Sequence, residues 1–321
     1  MKRAKHDAAA AFAQLWGGFR ASRVLLTANN LRIFEQVGAG TSASGLASVL
    51  RTDLRATEIL LDALAALGLL KKQKVTYSLT PLAKQFLLPG SPAYQGDMLR
   101  HADTLWKSWS GLDEVVRSGM PNRTGERDHD VFIRAMHNNA LPRVRQVISA
   151  LDLRGVRQAL DLGGGPGTYS IALAKKGIAV TLFDLPNTID VAREIVRTAG
   201  AKKISFRGGD FHFDDIGGPY DLVLLSQILH SHGPLENRAL LAKTFEALAP
   251  GGTIAVHEFS LDDDRAGPLP GALFSVNMVV NTSEGRSYTA REIGSWLREA
   301  GCSGIKTKRL GDTVLVLGKK K

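Results

Sequence analysis

DLGGGPGTYSIALA, residues 161–174, carries an apolar strand end into glycines at 163, 165 and 167 and then into a helical pattern. With VRQALDL (156–162) read as a strand, the segment is a strand–loop–helix unit. Alternate glycines let the backbone turn tightly and approach a ligand closely, and the following helix offers free N–H groups at its start. A glycine-rich turn can also be a tight loop with no ligand, so the spacing has to decide. Counted from Gly163 or Gly165, the dinucleotide pattern GxGxxG/A needs its last small residue at 168 or 170, where Thr168 and Ser170 stand. The fit is imperfect. The sequence D-x-G-x-G-x-G, starting at Asp161, suits a ligand without a pyrophosphate, whose amino-acid end lies along the loop.

Working outward, short strands alternate with helices from Leu151 onward, which predicts βαβ units and a mostly parallel sheet. The strands are VRQALDL, AVTLFDL (179–185), ISFRG (204–208), YDLVLLS (220–226) and TIAVHEF (253–259). Helices are predicted over 168–176, 188–199, 236–248 and 289–301. A final hairpin, GIKTKRL and TVLVLGK around Gly311-Asp312, adds an antiparallel edge.

The carboxyl ends of these strands carry the candidate chemistry. The second ends at Asp184, 21 residues beyond Gly163, followed by Leu185; a carboxylate there accepts from both hydroxyls of a ribose. The third ends in Gly209, Asp210 and Phe211, suited to an adenine amino group and ring. Ser226 and Gln227 close the fourth and lead to His230, whose imidazole takes a hydroxyl proton near neutral pH. Glu258, at the end of the fifth, is expected beside His230, fixing its tautomer. Each group alone has a plainer reading as a solvated turn or a structural histidine; convergence at one sheet edge favours a site. A metal held by His230, His232 and His257 stays open as a lesser reading, since no acidic cluster at ligand spacing accompanies them.

Upstream, apolar residues recur at helical spacing from Ala8 to about Leu88, with Thr41, Ser42, Thr52 and Asp53 as cap candidates. KKQKVTYSLT (71–80) reads as a short β-wing, so this part spells a winged helix-turn-helix. A second helical stretch, Tyr94 to Leu151, is interrupted by the polar loop 121–130 and reads as a connector and pocket cover. Three regions result: 1–95, 96–150 and 151–321.

At 321 residues and 44% hydrophobic, 22% charged, the chain matches an ordinary globular protein of about two domains. No apolar run reaches the ~18 residues of a membrane span, and the N-terminus lacks a secretory pattern, so a cytoplasmic location is expected. Cys302, the one cysteine, has no disulfide partner. A net charge of +10, with thirteen basic against six acidic residues in the first hundred, keeps anionic partners in view.

Taken together these motifs resemble the small-molecule O-methyltransferases of the caffeic acid and hydroxyindole type, including bacterial polyketide members, over nearly the whole chain. DLGGGPGTYSIALA resembles that family's first cofactor motif, FDLP (183–186) its second and GGDF (208–211) its adenine-side motif. ILHSHGPLENRALL (228–241) resembles its ILHDW segment, and EGRSYTAREIGSWLREAG (284–301) its C-terminal GRERT segment.

The resemblance implies an α/β, doubly wound, Rossmann-like class I methyltransferase domain with a C-terminal antiparallel hairpin, preceded by a winged-helix dimerisation domain. It implies S-adenosylmethionine on Asp161, Gly163, Gly165, Gly167, Asp184, Leu185, Gly209, Asp210, Phe211, Ser226 and Gln227. It makes His230 the general base beside Glu258, and brings Trp106, Met136, His137, Phe274, Asn277 and Met278 to a small-molecule acceptor. A homodimer is implied, with neither metal nor nucleic acid. The sequence departs from the pattern at Ser231 and His232, in place of Asp and Trp, at Ser226, where plant members have a lysine, and at Ser287, in place of a second acid. Carbon or nitrogen methylation within the family, a DNA-binding regulator that senses S-adenosylmethionine and a nicotinamide oxidoreductase are the competing expectations.

Overall fold

A computed structural model describes residues 2–38, 40–123 and 128–321, and divides into two compact units, Met1–Asp103 and Thr104–Lys321. The first unit opens with helices α1 (Lys2–Gly17), α2 (Phe19–Asn30) and α3 (Ile33–Val37), the last two separated where Arg32 takes a left-handed conformation. There follow β1 (Thr41–Ser42), α4 (Ala43–Leu50), α5 (Leu54–Ala66), β2 (Leu70–Gln73), β3 (Thr76–Leu79) and α6 (Pro81–Leu87). Two of the cap candidates serve: Ser42 Oγ accepts from Gly45 N at 3.1 Å, and Asp53 Oδ1 from Ala56 N at 2.7 Å. Each satisfies a helix N–H that would otherwise lack a partner. The strands form a three-stranded antiparallel sheet in the order β1-β3-β2, in which β2 and β3 are the predicted wing and β1 adds a strand the sequence did not suggest, over a core of Phe34, Leu46, Leu61, Leu64 and Tyr77.

Helix α7 (Gly96–Trp109) leads into the second unit, which continues with α8 (Leu112–Ser118) and α9 (His129–Ala150). Residues 124–127 of the predicted loop lie outside those described. Then come β4 (Gln158–Leu162), α10 (Thr168–Ala174), β5 (Ala179–Asp184), α11 (Pro186–Thr198), β6 (Ile204–Gly208), β7 (Tyr220–Ser226), α12 (Pro234–Glu246), β8 (Leu248–Phe259), α13 (Leu269–Asn281), α14 (Ala290–Glu299), β9 (Ser303–Leu310) and β10 (Thr313–Lys319).

The sheet order is β6-β5-β4-β7-β8-β10-β9, parallel through β8, with β10 antiparallel to both neighbours. The predicted parallel sheet and closing hairpin are both present. Because β4 and β7 are buried on both faces they read as continuous apolar runs, and Leu160, Leu162, Val223, Leu224 and Leu225 are fully buried. The chain runs outward from β4 to β6 and returns to β7, so the sheet reverses direction between β4 and β7. A crevice opens at such a reversal, outside the carboxyl ends of the strands. Among the described residues no helix is long and apolar enough to cross a membrane.

Candidate active site

The loop after β4 forms one wall of that crevice. Gly163, Gly165 and Gly167 all have positive φ, at 66°, 52° and 76°. A Cβ on Gly163 would lie 2.3 Å from Ile228 Cδ1 and one on Gly167 2.8 Å from Leu182 Cδ1, whereas one on Gly165 would meet open space. Asp161 lies beneath the loop, 1% exposed, its Oδ2 accepting from Ser170 Oγ at 2.6 Å. Burial pushes its carboxyl up to about 6, so this side chain backs the loop from inside.

Asp184 ends β5 with its carboxylate turned onto the loop: Oδ2 accepts from Gly165 N at 2.7 Å and Oδ1 from Leu185 N at 2.8 Å. Burial raises its pKa, and those donors oppose the rise. Leu185 is exposed and caps α11. Beyond β6, Gly209 N donates to the Asp184 carbonyl, Asp210 Oδ1 accepts from His212 N, and Lys243 Nζ donates to the Phe211 carbonyl. The Phe211 ring approaches Gly163 and packs with two imidazoles, 4.7 Å from His212 and 5.6 Å from His232.

On the other side of the crevice, Ser226 Oγ bonds His257 Nδ1 at 2.9 Å. His257 is fully buried against Tyr169, and burial pushes its imidazole down to about 4. Its neighbour Glu258 points to the opposite face of β8, as successive strand residues do, and meets His230. His257 and His230 thus belong to different clusters. Gln227 takes a left-handed conformation, φ 63°, and its Nε2 is buried without a hydrogen-bond partner.

His230 sits in a short 3₁₀ turn, Leu229–Ser231, only 8% exposed. Its Nδ1 is 2.8 Å from Glu258 Oε2, and its backbone N–H donates to Oε1 of the same carboxylate at 3.3 Å. With the proton of Nδ1 committed to Glu258, the lone pair stands on Nε2, which pairs with none of the described residues. The Phe274 ring meets the imidazole edge to face at 4.8 Å.

Of the residues read from sequence as acceptor-facing, Phe274 therefore lies against His230. Asn277, one turn along α13, accepts from the indole N–H of Trp109 at 2.9 Å. Trp109 was not singled out in the sequence; Trp106, which was, stands half-buried one turn earlier on α7. Met136 is half-buried on α9 and Met278 buried on α13. His137 bonds Thr168, the first residue of α10, at 2.7 Å, which attaches it to the glycine loop. Ser287 is buried and its hydroxyl donates to the Gly271 carbonyl at 2.9 Å. A groove of about 720 Å³ at the opposite, amino edge of the sheet, around Arg157, Lys176 and Lys203, holds none of these groups.

Comparison with known families then decides the classification. The family model for an O-methyltransferase domain matches residues 101–303, and that for an O-methyltransferase dimerisation domain matches residues 13–89. The chain belongs to the O-methyltransferase family. This O-methyltransferase is 35% identical over 308 residues to a 3-hydroxy-5-methyl-1-naphthoate 3-O-methyltransferase of Streptomyces sahachiroi, covering 91% of this chain and 89% of the relative. It is 32% identical over 324 residues to the tetracenomycin polyketide synthesis 8-O-methyl transferase TcmO of Streptomyces glaucescens, covering 96% and 95%. The crystal structure of human N-acetylserotonin methyltransferase in complex with SAM superposes with a TM-score of 0.88 at 28% identity, covering 98% of this methyltransferase and 97% of that chain.

Proposed function

We propose that the enzyme transfers the methyl group of S-adenosylmethionine to a hydroxyl of a small, flat aromatic or polyketide-like acceptor, with His230 as general base. One observation carries the reading: a buried His230–Glu258 pair with a free Nε2, beside a glycine-walled crevice. The crevice suits this donor. Asp184 has lone pairs left for ribose hydroxyls, Gly165 leaves open space, and the orphaned amide nitrogen of Gln227 lacks an acceptor that a ligand supplies. Relatives are named as a 3-hydroxy-5-methyl-1-naphthoate 3-O-methyltransferase, a tetracenomycin polyketide synthesis 8-O-methyl transferase and an N-acetylserotonin methyltransferase, and Phe274, Met136 and Met278 suit the flat rings of such acceptors.

When bound, the donor supplies a methyl group on a positively charged sulfur, so the S–C bond breaks as the O–C bond forms. His230 Nε2 takes the acceptor's hydroxyl proton, and Glu258 stabilises the resulting imidazolium while holding the ring in one tautomer. Phe274 excludes water from that imidazole, and the protein's remaining task is alignment of the attacking oxygen. A homodimer through the N-terminal unit completes the proposal. Calorimetry with S-adenosylhomocysteine tests the donor reading. His230→Ala is expected to bind that product as the native enzyme does while losing turnover on a phenolic acceptor by roughly 10²–10⁴-fold. Undiminished turnover removes His230 from the mechanism.

A further inference from the structure

His230 is carried by a 3₁₀ turn of three residues, and a turn that short has too few internal bonds to hold one conformation by itself. Within it, Ser231 N–H donates to the Ile228 carbonyl at 3.1 Å and His232 N–H to the Leu229 carbonyl at 3.2 Å. Further bonds reach the turn from other elements. Asn237, near the start of α12 and with no exposed surface, donates from its side-chain amide to the Leu229 carbonyl at 2.9 Å and to the His232 carbonyl at 3.2 Å. Tyr288, just before α14, donates its hydroxyl to the same His232 carbonyl at 2.5 Å. Between these anchor points a Cβ on Gly285 would lie 2.4 Å from the His230 carbonyl oxygen, so the segment ahead of α14 packs directly on the backbone of the base.

Both neighbours of the Asn237 amide are carbonyl oxygens, so its NH₂ end faces them and offers one hydrogen to each. The other end, Oδ1, is buried and pairs with none of the described residues. An orphaned oxygen in the interior destabilises the fold, so packing alone does not account for an amide at this position, whereas its two donor bonds do. We propose that Asn237 is a positioning residue for the general base: by bridging the carbonyls of Leu229 and His232 from α12 it sets where the Nε2 of His230 stands, with Tyr288 as a second anchor. The inference rests on the base reading above. It assigns part of the alignment that methyl transfer requires to a helix that supplies none of the reacting groups.

A pin that only stabilised the fold would use the same bonds, so the test reads His230 itself. The proton between His230 Nδ1 and Glu258 is expected to give a downfield line in the proton NMR spectrum of the full chain, assigned by its loss in His230→Ala. Asn237→Ala is expected to broaden that line, a readout that needs no acceptor. With 2-naphthol as acceptor, the same variant is expected to lower kcat about tenfold while KM and the calorimetric affinity for S-adenosylhomocysteine stay native. In the His230→Ala background it is expected to cost nothing further, since no base is left to misplace. Tyr288→Phe, which removes one hydroxyl and keeps the ring, is expected to act in the same sense by about threefold, and carries both readouts should Asn237→Ala fail to fold. A native line, an unchanged kcat, or an equal further loss in the His230→Ala background each overturns the proposal. Native enzyme without the downfield line, or undiminished turnover in His230→Ala, overturns the base reading as well, a result distinct from a base that is indifferent to Asn237.

Discussion

Asp161 shows how one residue trades stability for a site. Its carboxyl has a single hydroxyl donor, Ser170, and sits in the interior, so its pKa rises from 3.8 to about 6. Between those values the folded chain keeps a proton that the unfolded chain has released, and stability falls as pH rises through that window. Above it the full penalty is present; below it there is none. Asp161→Asn keeps an acceptor for Ser170 without a charge. It is therefore expected to melt higher than the native chain at pH 8, by roughly 2–4 °C for each kcal/mol recovered, and no higher near pH 4. Thermal scans at the two pH values check this, and an equal shift at both sinks the electrostatic account. At this scale the sequence was partly legible. The pairing of His230 with Glu258 followed from two adjacent strand ends. The Trp109–Asn277 and His129–Thr188 contacts did not, because they join residues 168 and 59 apart whose meeting depends on helix packing. Nor did the bond of buried Ser287 to the Gly271 carbonyl of α13.

Among elements, the glycine loop separates two demands on the same backbone. Gly163 and Gly165 both occupy left-handed conformations, where an L-residue costs about 1–2 kcal/mol. Only at Gly163 would an added methyl also strike a side chain, Ile228 Cδ1. Gly163→Ala is thus expected to be destabilised beyond that backbone cost, and Gly165→Ala by the backbone cost alone. Urea denaturation measures both, and equal losses would show that Ile228 gives way freely. The strand and helix pattern of this unit was legible because period-two and period-3.6 apolar patterns differ and glycines mark their ends. Strand limits were less so: β8 begins at Leu248, five residues before the predicted TIAVHEF, because β7 and the closing hairpin supply backbone partners that a sequence does not display.

For the whole molecule the open question is what covers α1. Every residue from Ala8 to Trp16 is exposed, including Phe12 at 67%, Leu15 at 82% and Trp16 at 57%, and Phe19 continues the apolar face at 53%. A helix whose described side chains from Ala8 to Trp16 are all exposed is marginal in water, since most helical stability comes from burying one side. Contiguous exposed aromatic and aliphatic side chains also mark a surface that is covered in the working protein. Leu15, Trp16 and Phe19 fall inside the segment matched by the dimerisation-domain model, and a second copy of the chain is the occupant that the homodimer proposal names. The 34.6 kDa chain is accordingly expected to sediment at twice its mass. Replacing Leu15 and Trp16 together by Glu places charges on that face, and the variant is expected to sediment as a monomer with reduced helical ellipticity. Native protein that sediments as a monomer at micromolar concentration rules out the second copy as the cover of α1.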